Sequence, residues 1–202
     1  QITGELSLSA WYRLDATGFN VICMMSKDNV SQRAFSFWAS VSTNAPSFSV
    51  WSGSTYYSAP ATTNTRDGQW HHIVGVFTPS VSVKIYVDGV LEGTNTTSIP
   101  SSINNANTNF KIGTFGTGSR KLNGSIDETS VFNYALSSAN VSTIYGSGIP
   151  TDISTLTPVA HWRAETSTWG GSNWTVTDEG SGGNNGTSVS MGYSSRTTDV
   201  PT

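Results

Sequence analysis

The chain has 202 residues, of which 36% are hydrophobic, 11% aromatic and 11% charged, with a formal net charge of −3. The charged fraction is far below the roughly 25% of an ordinary soluble chain, but the aromatics recur through alternating runs, which excludes a disordered polymer. No Lys/Arg cluster exists to neutralise phosphates, so nucleic acid is excluded as a partner. No apolar run reaches membrane-spanning length, so membrane insertion is not expected. No signal peptide is visible in residues 1–20, which lack a charged start and an apolar centre.

Residues 5–14, ELSLSAWYRL, set Leu6, Leu8, Ala10 and Tyr12 against Glu5, Ser7, Ser9 and Trp11. That period of two predicts a half-buried strand. VICMMS (21–26) reads as a short apolar strand holding Cys23, a core thiol. RAFSFWASV (33–41) places Phe35 and Phe37 on one face and Ala34, Ser36 and Trp38 on the other. PSFSVWS (46–52) repeats the pattern with Phe48 and Val50, and TYYSAP (55–60) is a weaker strand. QWHHIVGVFT (69–78) and SVKIYVDG (82–89) are β-rich, and Asp88-Gly89 marks a tight turn into VLEGT (90–94). NFKIGTF (109–115) and KLNGSIDETSVFNYAL (121–136) supply further strands. The period then changes: Leu136, Ala139, Val141, Ile144 and Tyr145 approximate helical spacing, with Ser137 or Ser138 as cap and Gly146 or Gly148 as stop.

Many strands at regular spacing with Gly, Asn and Pro turns predict an all-β fold, an antiparallel sandwich or barrel, with one short helix near 136–146. The sequence divides into a body, 1–147, a linker, 148–157, and a Trp-rich tail, 158–202. PVAHWRAE (158–165) and WTVTDE (174–179) are strand-like, and GSGGNNGTS (180–188) reads as loop. Trp162, Trp169 and Trp174 are too many for a solvated tail and require a partner surface, on this chain or another.

The run WHHIVGVFTPSVSVKIYVDGVLEGT, then FKIGTF, then LNGSIDETSVFNYALSSANVSTIY, within 69–145, resembles the second half of a laminin-G-like or pentraxin-like jelly roll of the concanavalin A-like lectin and glucanase superfamily. With the S-A-W of residues 9–11 the resemblance covers about 1–147 and implies a jelly-roll β-sandwich. The family's usual opening, a D-x-S-G-N-x-N-x-G loop and an F-D-G segment, is missing before residue 5. VAHWRAE…WTVTDEGSGGNNGTSVSM (159–191) resembles that opening. Three arrangements follow: a tail that completes its own sandwich, a tail that adds a strand to a neighbouring copy, or the start of a second repeat.

Glucanases of this fold carry an E-x-D-x-x-E strand; the nearest analogue here, Ser125–Ser130, lacks both outer carboxylates. Strand alternation also sends Glu128 to the face opposite Asp127, so no catalytic pair is expected. His71 and His72 are adjacent, so one is expected packed and one exposed, and they do not chelate one metal. The resemblance implies calcium as a cofactor, with Asp127, then Asp178, Asn184 and Asn185, as metal ligands. It also implies ligands on the early strands, where Trp38, Trp51, Tyr56 and Tyr57 offer an aromatic platform. The expectation is a non-catalytic recognition or adhesion module at an extracellular or virion surface, binding a glycan or surface polysaccharide. The alternative is an assembly subunit (capsid decoration, fibre or filament) joined to neighbouring copies through 158–202. A glycoside hydrolase comes third.

Overall fold

A computed structural model describes residues 1–15, 22–29, 31–40, 42–116, 118, 120–189, 191–197 and 201. Its strands are β1 (Leu6–Leu14), β2 (Ile22–Asp28), β3 (Arg33–Ala39), β4 (Pro46–Ser52), β5 (Thr55–Pro60), β6 (Trp70–Thr78), β7 (Ser82–Val87), β8 (Val90–Asn95), β9 (Lys111–Ile112), β10 (Gly124–Phe132), β11 (Ala160–Trp169), β12 (Trp174–Asp178) and β13 (Gly186–Thr187). One helix, α1 (Ser138–Tyr145), follows β10. The strands form two antiparallel sheets, ordered β13-β12-β11-β10-β1-β6-β7-β8 and β5-β4-β3-β2-β9.

Alternation builds the core. Leu6, Leu8, Tyr12, Ile73 and Ile85 of the larger sheet meet Phe37, Phe48 and Val50 of the smaller one. Gly75 permits that approach: a Cβ there would stand 2.4 Å from Cγ of Phe48 and 2.7 Å from Cζ of Phe37. The β7–β8 hairpin turns on Asp88 (φ 49°) and Gly89 (φ 79°), the paired positive φ angles of the tight turn that Asp-Gly predicts.

β1 is buried on both faces, not one. The reason is α1 and the segment after it. Ser137 caps α1 through a reciprocal bond with Asn140, and Gly146 ends it in the left-handed region. Val141, Ile144, Leu136 and Ile153 then pack with Val74, Val76 and Phe132 over the outer face of the larger sheet. Trp11 and His72 lie under this lid, their rings 5.1 Å apart, with Tyr145 stacked on both. The region 109–115 contributes only a two-residue strand, and part of the 180–188 loop pairs as β13.

β11 runs antiparallel to β10 through Thr129↔Trp162, Ser130↔His161 and Val131↔Ala160. Ala160 is buried in the main core, and Trp162 packs against that core and stacks on Phe110 at 5.5 Å. Trp174 is buried and lies 5.4 Å from Trp169. The tail tryptophans therefore find partner surfaces within the chain.

Candidate functional site

On the five-stranded sheet, alternation turns Phe35, Phe37, Phe48 and Val50 inward and Ser36, Trp38, Ser49 and Trp51 outward. Trp38 is half-buried and donates its indole N–H to Oγ of Ser49 at 3.1 Å. Trp51 is largely buried: Arg33 lies over one side of it at 5.8 Å, and Tyr56, paired with it across β4 and β5, sits 6.0 Å away. Tyr56 is 61% exposed. Tyr57 alternates to the other side and packs against the core, so the four aromatics do not form one platform. Arg33 also pairs with buried Asp28 at 3.1 Å and lies over Phe115, whose ring Arg120 also overlies. Between the aromatics, Ser47, Ser49 and Ser58 hydrogen-bond to one another.

A second surface lies where β10 meets β11. Here the backbone breaks the simple alternation. Ser9 faces Ser130 but Trp11 faces Asp127, so Glu128 is the extra residue of a β-bulge, with φ 50°. The bulge puts Asp127 and Glu128 on the same side, correcting the expectation that they face apart. Both line a cleft of about 570 Å³ with His161, Arg163, Glu165 and Glu179. Glu128 accepts from His161 Nε2 at 2.7 Å and from Arg163 Nε at 2.9 Å. Burial works to raise the Glu128 pKa, but those two partners hold it below the usual range. Asp127 Oδ1 accepts from the backbone N–H groups of Glu128 and Ala164. Burial, with Glu165 and Glu128 close by, pushes the Asp127 pKa up.

Calcium takes six to eight oxygens. Among the described residues, the carboxylates whose oxygens lie within 4.8 Å of one another are those of Asp127, Glu128 and Glu165, a group without Asp178. Asp178 accepts three backbone N–H groups, from His161, Gly180 and Asn184, and Asn185 Oδ1 accepts the N–H of Asp178. The backbone carbonyl of Asn184 accepts from Trp162 Nε1. These contacts tie the 178–186 loop to β11. With Glu128 taken up by His161 and Arg163 and Oδ1 of Asp127 by two N–H groups, the donor set falls short of a calcium shell.

Both adjacent histidines are buried, against the expectation of one exposed ring. His71 bridges Asp88 (2.7 Å) and Asp67 (3.2 Å). His72 bonds Ser9 Oγ at 2.8 Å beneath α1. Cys23 is buried, its pKa pushed up to about 12 by burial.

The sequence reading missed Glu128, His161, Arg163, Glu165 and Glu179 as one cluster. Part of the signal was present: His161, Arg163 and Glu165 alternate with Ala160, Trp162 and Ala164, the period of a strand with one polar face. Its neighbour in space, the bulge at Glu128, carries no such signal.

Among solved structures, a proposed carbohydrate-binding protein from Bacteroides ovatus matches with TM-score 0.71 at 15% identity, over 100% of this chain and 56% of that one. Domain 4 of an extracellular GH43 arabinanase from Geobacillus stearothermophilus, in complex with arabinotriose, matches with TM-score 0.54 at 20% identity, over 72% of this chain and 68% of that one. Domains LG4-5 of the mouse laminin α1 chain match with TM-score 0.53 at 14% identity, over 69% and 38%. At these identities the likeness shows the fold, and the chain spans little more than half of the Bacteroides protein. No curated protein matches the chain. No helix among the described residues is long and apolar enough to cross a membrane. Residues 1–142 match the family model of the laminin G type, and through them the chain belongs to the concanavalin A-like lectin/glucanases superfamily.

Proposed function

We propose that this protein is a non-catalytic glycan-recognition module acting at an extracellular or virion surface. The ligand lies on the outer face of the five-stranded sheet. The observation that carries the reading is Tyr56, 61% exposed and beside the Trp51 ring that Arg33 overlies. An exposed aromatic ring held by a neighbouring ring offers a sugar an apolar face at a reduced ordering cost. Half-buried Trp38 extends the surface along β3. The fold of the arabinotriose-bound domain supports this class of ligand. A glycosidase needs one carboxyl to donate a proton and a second free to attack or to activate water. In the cleft, Glu128 is held by the His161 imidazole and the Arg163 guanidinium, which supports the non-catalytic reading. The assembly alternative requires the tail to leave β10, exposing Ala160 and Trp162.

A glycan array compared between the wild type and the Tyr56→Ala and Trp38→Ala variants tests the proposal. Binding that both variants lose supports it. Binding that survives both places the ligand elsewhere.

A further inference from the structure

We infer that the ligand of the aromatic face is an acidic sugar, an oligosaccharide bearing uronate carboxylates; this rests on glycan recognition at that face and names the chemical class. The arginines there decide the class. Cross-strand register puts Trp51 beside Tyr56, with the two rings 6.0 Å apart. The Arg33 guanidinium lies 5.8 Å from the Trp51 ring and 5.7 Å from the Phe115 ring. The Arg120 guanidinium lies 5.3 Å from that same Phe115 ring. Tyr56, Trp51, Arg33, Phe115 and Arg120 thus form one continuous row. From Trp51 onward, rings and guanidiniums alternate along it.

The loop after β9 brings in the second arginine. Gly113 donates its N–H to the Met24 carbonyl, Ser26 its hydroxyl to the Thr114 carbonyl, and Cys23 its N–H to the Arg120 carbonyl. Gly113, Thr114 and Arg120 are thereby tied to β2. Lys111, opposite Ser26 across β9 and β2, donates Nζ to the Gly116 carbonyl. Three cations therefore meet around Phe115 and Gly116. Among the described residues, their ion-pair partner is Asp28 alone, its side chain fully buried and bonded to Arg33 Nε at 3.1 Å. The Arg33 side chain is still 37% exposed, and Arg120 is exposed. Cations gathered with one buried counter-charge favour an anion from solution. A guanidinium resting on a ring keeps its planar N–H fork for a carboxylate, while exposed Tyr56 takes a sugar face. The charge count sets the density. Two exposed guanidiniums suit single charges spaced along a sugar chain, and a net charge of −3 on the protein disfavours a dense polyanion.

Calorimetry on the whole protein tests it, with oligogalacturonate and oligoguluronate, their methyl esters of equal length, and polyphosphate as separate probes. A free acid is expected to bind about tenfold or more tightly than its ester, and about 0.5 M salt to remove most of that preference. Arg120→Gln, an exposed side chain whose loss spares the backbone bond to Cys23, is expected to weaken the acid about threefold to tenfold and to leave the ester unchanged. Tyr56→Ala is expected to weaken acid and ester alike. Lys84→Gln, on β7 of the other sheet, leaves both unchanged. Equal binding of acid and ester overturns the acidic class; if Tyr56→Ala still weakens both, the aromatic face stands without it. Binding of neither uronate overturns the inference, as does a preference that Arg120→Gln leaves intact. So does polyphosphate bound more tightly than either uronate. Loss in Tyr56→Ala of a neutral glycan found on the array is the separate readout of the aromatic face.

Discussion

Glu128 holds the tail against the body, and replacing it measures how firmly. Its carboxylate is 10% exposed and bonds both His161 and Arg163 of β11. Glu128→Ala leaves an Arg163 group that is 38% exposed and a largely buried His161 without their partner. Removing one member of a well-buried pair costs about 3–5 kcal/mol, and the exposure of Arg163 brings the expected loss here down to about 2–3 kcal/mol. In a domain of this size that is a fall in Tm of roughly 4–12 °C. Glu128 also sits at φ 50°, a region that costs a non-glycine residue about 1–2 kcal/mol. Glu128→Gly loses the same contacts but relieves that strain, so it is expected to be about 1 kcal/mol more stable than Glu128→Ala. The assay is denaturant unfolding followed by tryptophan fluorescence, with limited proteolysis in 146–159 as a local probe. A Glu128→Ala loss below about 0.5 kcal/mol, the range of an unremarkable surface change, or a Gly variant less stable than the Ala variant, refutes the reasoning.

Three further outcomes follow from the same contacts. Burial works against protonation of His71, but Asp88 and Asp67 raise its pKa above 6.5, so its contribution is full below about pH 6.5 and is lost as pH rises through the raised value. His72 is lowered to about 3 by burial, so stability also falls as pH drops from about 6.5 toward 3, where the unfolded chain takes a proton the folded one refuses; a Tm profile with no maximum near neutrality contradicts both assignments. The Ser36 hydroxyl is fully buried and without a partner among the described residues, so Ser36→Ala is expected to be neutral or to stabilise by up to about 1 kcal/mol, whereas Ser9→Ala, which strips His72 of its hydrogen bond, costs about 1–3 kcal/mol by the same unfolding assay. Gly75→Ala is expected to cost about 3 kcal/mol or more, because its Cβ collides with Phe48 and Phe37; wild-type stability in that variant contradicts the close approach of the sheets.

Much of the fold was legible because the physics that builds it is local. Period-two runs marked β1, β3 and β4, β-rich composition marked β6 and β7, Asp88-Gly89 marked its hairpin, and the change of period after Leu136 marked α1. What escaped was tertiary. The double burial of β1 depends on where α1 returns, which no pattern within ELSLSAWYRL records. The cleft depends on one extra residue at Glu128: strand alternation gave the wrong face because a bulge shifts every side chain beyond it. The aromatic face was partly legible. Trp38, Trp51 and Tyr56 fall on the outer side as alternation predicts, but Tyr57, next in sequence to Tyr56, must point the other way.

The central claim is that a glycan lies on the Trp38–Trp51–Tyr56 face. Its most direct test is nitrogen-edited NMR of the labelled protein, titrated with the best oligosaccharide from the array. The indole N–H of Trp38, bonded to Ser49, and the backbone signals of Trp51 and Tyr56 are predicted to shift progressively to saturation. Saturating shifts confined to other parts of the chain, with these three still, would contradict it.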